Sequence, residues 1–177
     1  MPHYEQLAAD FYRRIDCITG AVDALAPGLE AAARQLVDAV LADKRLLLCG
    51  AGGDNALAQY AARLLRRPGD ALPALPALCL GGADDPGEQL WQDLRSLSRD
   101  GDLLLCIDSS DAGATAAGAG RLAQQRNLQA VLLAPPGDHG VATVVSLQAA
   151  DAELRCELAL MALHELRALV LRLLMGE

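Results

Sequence analysis

Two loops hold most of the chemistry-bearing residues of this 177-residue chain. The first, Gly50-Ala51-Gly52-Gly53-Asp54-Asn55, follows the apolar run Leu46-Leu47-Leu48-Cys49. Its glycines allow positive φ and close approach of a ligand to the backbone. A helix starting there offers unpaired N–H groups and a partial positive charge. That is the chemistry of an anion site. The second loop, Asp108-Ser109-Ser110-Asp111-Ala112-Gly113-Ala114-Thr115, follows Leu103-Leu104-Leu105-Cys106-Ile107 and leads into an alanine-rich stretch. Its hydroxyls suit an anion, whereas Asp108 and Asp111, together with Asp54, oppose one. A carboxylate about 5 Å from one phosphate charge costs about 3 kcal/mol at an effective dielectric near 20, and a helix terminus returns at most about 2 kcal/mol. Unless a metal or a cationic ligand neutralises these acids, a phosphate should bind poorly. The plainer role for Asp54 and Asp111 is helix capping, which Asp favours.

Other candidates are weaker. His164 has Glu157 seven residues earlier on nearly the same helical face, a geometry that a proton-transfer pair can use, but an unsupported group rarely does acid-base work. Ser109 and Ser110 have no His and acid arrangement beside them, so a hydrolase triad is not supported. His139 reads as a loop residue and His3 lies near a chain end. Cys49 and Cys106 close two apolar runs and read as core thiols. The glycine loop is neither a dinucleotide fingerprint, for it lacks the third spaced glycine, nor a Walker loop, since no Lys follows.

The elements that must position these loops are legible in the hydrophobic periodicity. Leu7, Phe11, Ile15, Ile18, Val22 and Leu25 recur at helical spacing, and Leu29 to Leu41 continues the pattern beyond Pro27-Gly28, which predicts two N-terminal helices within residues 1–43. Short apolar runs then alternate with helical stretches: Leu46–Cys49, Ala74–Leu80, Leu103–Ile107, Leu128–Ala134 and Ala142–Leu147. Such alternation means βαβ units and a parallel sheet over residues 45–150 with helices on both faces. A last helix from Ala152 to Met175 is apolar on more of its circumference than one buried face needs, which points to a subunit interface. A single domain of residues 1–177 is expected.

Composition narrows the function. A formal charge of −8 disfavours direct contact with nucleic acid. The five cysteines are odd in number and include no CxxC pair, so reduced core thiols and a cytoplasmic location are expected. The chain has no basic leader with an apolar core and no apolar run of membrane-spanning length, so no membrane association is expected.

Taken in order, two N-terminal helices, Cys49-Gly50-Ala51-Gly52-Gly53, Leu75-Pro76-Ala77-Leu78, Gly101-Asp102-Leu103-Leu104-Leu105 and the serine loop resemble the sugar isomerase (SIS) domain. The nearest likeness is to the phosphoheptose isomerase group, which includes the DnaA initiator-associating protein DiaA. The resemblance implies a flavodoxin-like three-layer αβα sandwich with a five-stranded parallel sheet, a homotetramer or dimer, and a sugar phosphate held by the residues at Gly50, Ala51, Gly52, Gly53, Asp54, Asn55, Asp108, Ser109, Ser110, Asp111, Gly113 and Thr115. It also implies a protein partner of the DnaA type as one possible role. This chain has Ala51 and Asp54 where the family has Asn and Ser. In the second loop, Asp108, Asp111, Ala112 and Gly113 replace Ser, Gly, Asn and Ser. The family's metal-holding and proton-transferring His, Glu, Gln and His fall at Tyr60, Leu64, Cys156 and His164, leaving His164 as the one catalytic candidate. The stretches Gly81 to Glu88 and between Pro136 and Ala152 are shorter than in the family. Three readings follow. The first is a non-catalytic oligomeric binding or regulatory module that needs no cofactor. The second is an isomerase of sedoheptulose 7-phosphate, with zinc as its cofactor. The third is a sensor of a non-phosphorylated or cationic small molecule.

Overall fold

The computed structural model describes residues 2–67, 74–82 and 88–176. Residues 83–87 of the shortened segment after Leu80 lie outside them. Among these residues five helices and five strands follow in the order α1 (Pro2–Leu41), β1 (Leu46–Gly50), α2 (Gly53–Arg66), β2 (Ala77–Cys79), α3 (Glu88–Leu97), β3 (Leu103–Ile107), α4 (Ala114–Gln125), β4 (Gln129–Ala134), β5 (Thr143–Ser146) and α5 (Ala152–Met175), with β5 following β4 directly. The strands form one parallel sheet in the order β2-β1-β3-β4-β5. This is the expected αβα sandwich.

Strand alternation sorts the core into two halves. Leu46, Leu48, Leu103, Leu105, Ile107, Val131, Leu133 and Val145 face α1, α2 and α5. Leu47, Cys49, Leu104, Cys106, Leu132 and Ala134 face α3 and α4. Both central strands are buried from end to end, which is why they read as unbroken apolar runs rather than alternating ones. Alanines such as Ala32, Ala58, Ala62, Ala116, Ala119 and Ala162 let the helices approach closely.

The N-terminus corrects the sequence reading. In place of two helices separated at Pro27-Gly28, α1 is one helix of 40 residues with Pro27 inside it. An interior proline forfeits a backbone hydrogen bond and about 3 kcal/mol. The buried stripe of Leu25, Leu29, Ala32, Ala33 and Leu36 runs through that point and offsets the loss by packing on β5 and α5. Gly28 is a packing residue rather than a breaker, because a Cβ there would lie 2.6 Å from the Val144 carbonyl oxygen. Towards its start the helix leaves Tyr4, Leu7, Phe11, Tyr12 and Ile15 exposed, and α5 leaves Leu160, Met161, Leu173 and Met175 exposed. Among the described residues no helix is long and apolar enough to cross a membrane.

Candidate functional site

β1 and β3 pair in register from Leu46 with Leu103 to Gly50 with Ile107, so the loops that leave their carboxyl ends emerge side by side. In a parallel sheet whose strand order reverses at this pair, ligands bind there. The topology therefore brings together the two loops singled out in the sequence.

The first loop turns tightly into α2. A Cβ on Gly50 would stand 2.6 Å from the Asp54 backbone, so Gly50 is there to let the first turn of α2 lie against the strand end. Gly52 adopts φ 55° and is the N-cap of α2, with no side chain capping the helix. Asp54 is therefore not the cap that its residue type suggests. It lies in the first turn, only 8% exposed, and its carboxylate turns across to the second loop. Oδ2 accepts the Ser109 backbone N–H at 2.8 Å and Oδ1 accepts the Ser109 hydroxyl at 2.8 Å. Burial pushes the Asp54 pKa up; the two bonds from Ser109 oppose this and the neighbouring Asp108 charge adds to it. Asn55 is structural, its Nδ2 donating to the Leu80 carbonyl at 3.1 Å and its Oδ1 accepting from Gln59 at 2.6 Å.

In the second loop it is Asp108 that caps the helix. Its Oδ2 accepts the Ala116 N–H at 2.8 Å in the first turn of α4, and its Oδ1 takes the Ser110 N–H and hydroxyl. Gly113, with φ 58°, is the N-cap residue and is buried, with the half-buried Thr115 just inside the helix. Asp111, expected as a cap, is instead exposed and forms an ion pair with Arg155. The geometry thus differs from three carboxylates converging on a ligand. Asp54 and Asp108 engage both oxygens within the loops, and Asp111 turns to α5.

Arg155 was missed in the sequence. It is 5% exposed on α5, donating from Nε to the Ser109 carbonyl at 2.8 Å and from Nη1 to the Ala149 carbonyl at 3.0 Å. The available signal was its position three and four residues before Leu158 and Ala159, on the buried face of a helix, where a guanidinium must find acceptors.

The pairing of His164 with Glu157 that their spacing allows is not formed. Glu157 is bound by Arg14 of α1, while His164 Nε2 lies 2.8 Å from the Tyr60 hydroxyl of α2. The Arg63 guanidinium stands 5.9 Å from the Tyr60 ring, and a hollow of about 330 Å³ beside it is lined by Ala56, Gln59, Arg63, Arg66 and Cys79. His139 is the loop residue expected, with Nε2 2.9 Å from the Pro135 carbonyl oxygen.

Zinc does not fit the four positions the resemblance assigns to it. Leu64 offers no donor, and Tyr60 and His164 face each other. Cys156 and His164 leave two zinc-type donors, short of the three that a catalytic site needs, and among the described residues no group of three His, Cys, Asp or Glu is placed to hold a metal. Cys49 and Cys106 are buried neighbours on β1 and β3, and their mutual hydrogen bond, before burial itself, raises the Cys106 pKa. Both are core thiols, as expected.

No family model matches the chain. A phosphoheptose isomerase of Halorhodospira halophila is 31% identical, the match covering 99% of this chain and 98% of that protein. One of Thiobacillus denitrificans is 31% identical over 80% of this chain and 78% of that protein. Among solved structures, a phosphoheptose isomerase from Francisella tularensis superposes with a TM-score of 0.81 at 20% identity, covering 96% of this chain and 98% of that one. The Vibrio vulnificus NanR protein, solved in complex with ManNAc-6P, gives 0.59 at 19% identity over 94% of this chain and 66% of that one. With the fold, the paired loops and a full-length relative in agreement, this chain belongs to the phosphoheptose isomerase family of SIS-domain proteins, as a divergent member.

Proposed function

We propose that this protein is a non-catalytic, self-assembling SIS module that binds a carbohydrate derivative or regulates a partner protein, and that it does not isomerise sugar phosphates. One observation carries the reading: at the positions where the family holds a metal, the Tyr60 hydroxyl and His164 Nε2 face each other at 2.8 Å, with Leu64 and Cys156 at the other two. That set has too few donors for a divalent ion and no carboxylate for moving a proton. The exposed apolar residues of α1 and α5 supply surface for assembly, in the form of the tetramer or dimer that the resemblance implies. A carbohydrate derivative fits because two relatives are named phosphoheptose isomerase and a fold neighbour was solved with a phosphosugar. A DnaA-type partner rests on the resemblance alone.

One observation favours the isomerase reading. The match to a named isomerase spans nearly the whole chain, and a phenol touching an imidazole can pass a proton. The cation-sensor reading has less support, because Asp54 and Asp108 direct both carboxylate oxygens to loop donors.

Turnover of sedoheptulose 7-phosphate, followed with and without zinc, decides between the first two. No conversion above the uncatalysed rate is expected, with light scattering showing an assembly larger than a monomer at micromolar concentration. Conversion that disappears in Tyr60→Phe and His164→Ala would establish the isomerase instead.

A further inference from the structure

The carboxylate of Asp54 is held as a bound anion would be. Two donors of one residue, the Ser109 N–H and hydroxyl, each reach one of its oxygens at 2.8 Å, a bidentate grip on an O–C–O edge. A phosphomonoester presents the same kind of edge, O–P–O, with more charge. The loop is set from behind by Arg155, whose Nε donates to the Ser109 carbonyl, so the guanidinium orients the donors without neutralising the acid they hold. At the start of α2 beside Asp54, Gly52 and Gly53 are exposed, and nothing lies within 4 Å of where a Cβ would stand on either.

We propose that Asp54 is a built-in anion that occupies the donors at Ser109, ties the two loops together, and excludes an external phosphomonoester, which enters once the Asp54 charge is removed. This deepens the preceding reading of the same cleft and rests on it for the ligand class. It also explains why a phosphate-site scaffold carries an acid at its centre: the acid stands where the ligand's anion would, rather than beside it.

The charged and titratable groups around Asp54 set its response to pH. Asp108 and Asp111 come from the second loop, Cys106 from the end of β3, its partner Cys49 from β1, and Arg155 and Cys156 from α5. Arg155 is bound by Ser109, Ala149 and Asp111, and the charge that acts on Asp54 is the like charge of Asp108. Mild acid should therefore discharge Asp54 before an ordinary carboxylate and release the latch.

Sulfate tests this, because its charge does not change over the range concerned. Titration calorimetry on the full chain at about pH 7.5 should show Asp54→Ser binding sulfate and inorganic phosphate at least about tenfold more tightly than the parent. The gain should shrink when Ser109→Ala is added, because the hydroxyl is lost while the backbone N–H remains. A folded Asp54→Ser protein with parental anion affinity overturns the proposal, as does a gain that Ser109→Ala leaves undiminished. If Asp54→Ser does not fold, the parent protein decides. Sulfate should bind the parent more tightly as pH falls below about 7.5, and less of that gain should remain in Ser109→Ala; an affinity that does not rise with acid overturns the latch. Turnover by the parent protein would overturn the non-catalytic reading alone and would leave these anion affinities to stand or fall by themselves.

Discussion

The strands β1 and β3 have buried carboxylates at both ends, and Asp102 and Asp54, which each link the two strands, are solved in opposite ways. At the amino ends, Asp102 just before β3 meets Arg45 just before β1. Arg45 Nη2 is 2.5 Å from Oδ2, and the Arg45 and Arg99 backbone N–H groups add bonds at 3.1 and 2.9 Å. At the carboxyl ends, Asp54 just after β1 meets Ser109 just after β3 and has neutral donors alone. Burial raises the pKa in both places. At Asp102 the hydrogen bonds and the Arg45 charge outweigh it and bring the pKa below the ordinary carboxylate value; at Asp54 burial wins. The same strand pair is thus pinned by a cation at one end and left with an uncompensated acid at the other. Asp102, which serves the fold, is accompanied by a cation, and Asp108 is held by the helix N-terminus that it caps. An acid with neither, at the ligand end of a parallel sheet, is where function is sought.

The contrast can be broken by mutation. The largest effect is expected from Asp102→Ala, which strands Arg45 and two N–H groups; a loss of about 3 kcal/mol in urea denaturation is expected, and a loss under about 1 kcal/mol would reduce the pair to an ordinary surface bridge. Arg155→Ala comes next. It removes the donors of two carbonyls at the ligand end, with an expected loss of about 2 kcal/mol and faster hydrogen exchange at Ser109 and Ser110. Unchanged exchange there would show that Arg155 does not set the loop.

The pH dependences should run in opposite directions. Asp102, with a lowered folded pKa, contributes stability that is present above the unfolded carboxylate value and lost as pH falls through the folded one. Comparing the parent with Asp102→Asn across the acid limb should show the difference closing there. Asp54, with a raised folded pKa, gives stability present below the unfolded value and lost as pH rises through the folded one. Asp54→Asn, which keeps the shape and can still bond Ser109, is the smallest effect. It should raise stability at neutral pH by up to about 1 kcal/mol and match the parent in acid. A difference that widened in acid would place Asp54 in the same class as Asp102 and remove the contrast.

Much of this was legible in the chain. The runs Leu46–Cys49 and Leu103–Ile107 declared buried parallel strands, because both faces of such strands are covered. The last helix matched its expected span, Ala152–Met175. Pro27-Gly28 misled, since local propensity said break while a buried stripe and the close approach of β5 held one helix together. Asp54, Asp108 and Asp111 were placed at one locus correctly, but their partners were not readable: Ser109, Ala116 and Arg155 lie 55, 8 and 44 residues away.

By itself, then, the sequence determined the α/β architecture, the family, and which two loops meet, because periodicity and glycine placement are local properties that any compact solution must respect. Tertiary structure alone decided what those loops hold. Whether an aspartate caps a helix, pairs with an arginine or fills an anion's place depends on which donors a neighbouring strand delivers within about 3 Å. That spacing is set by strand register and helix packing across the sheet, and no short stretch of chain encodes it.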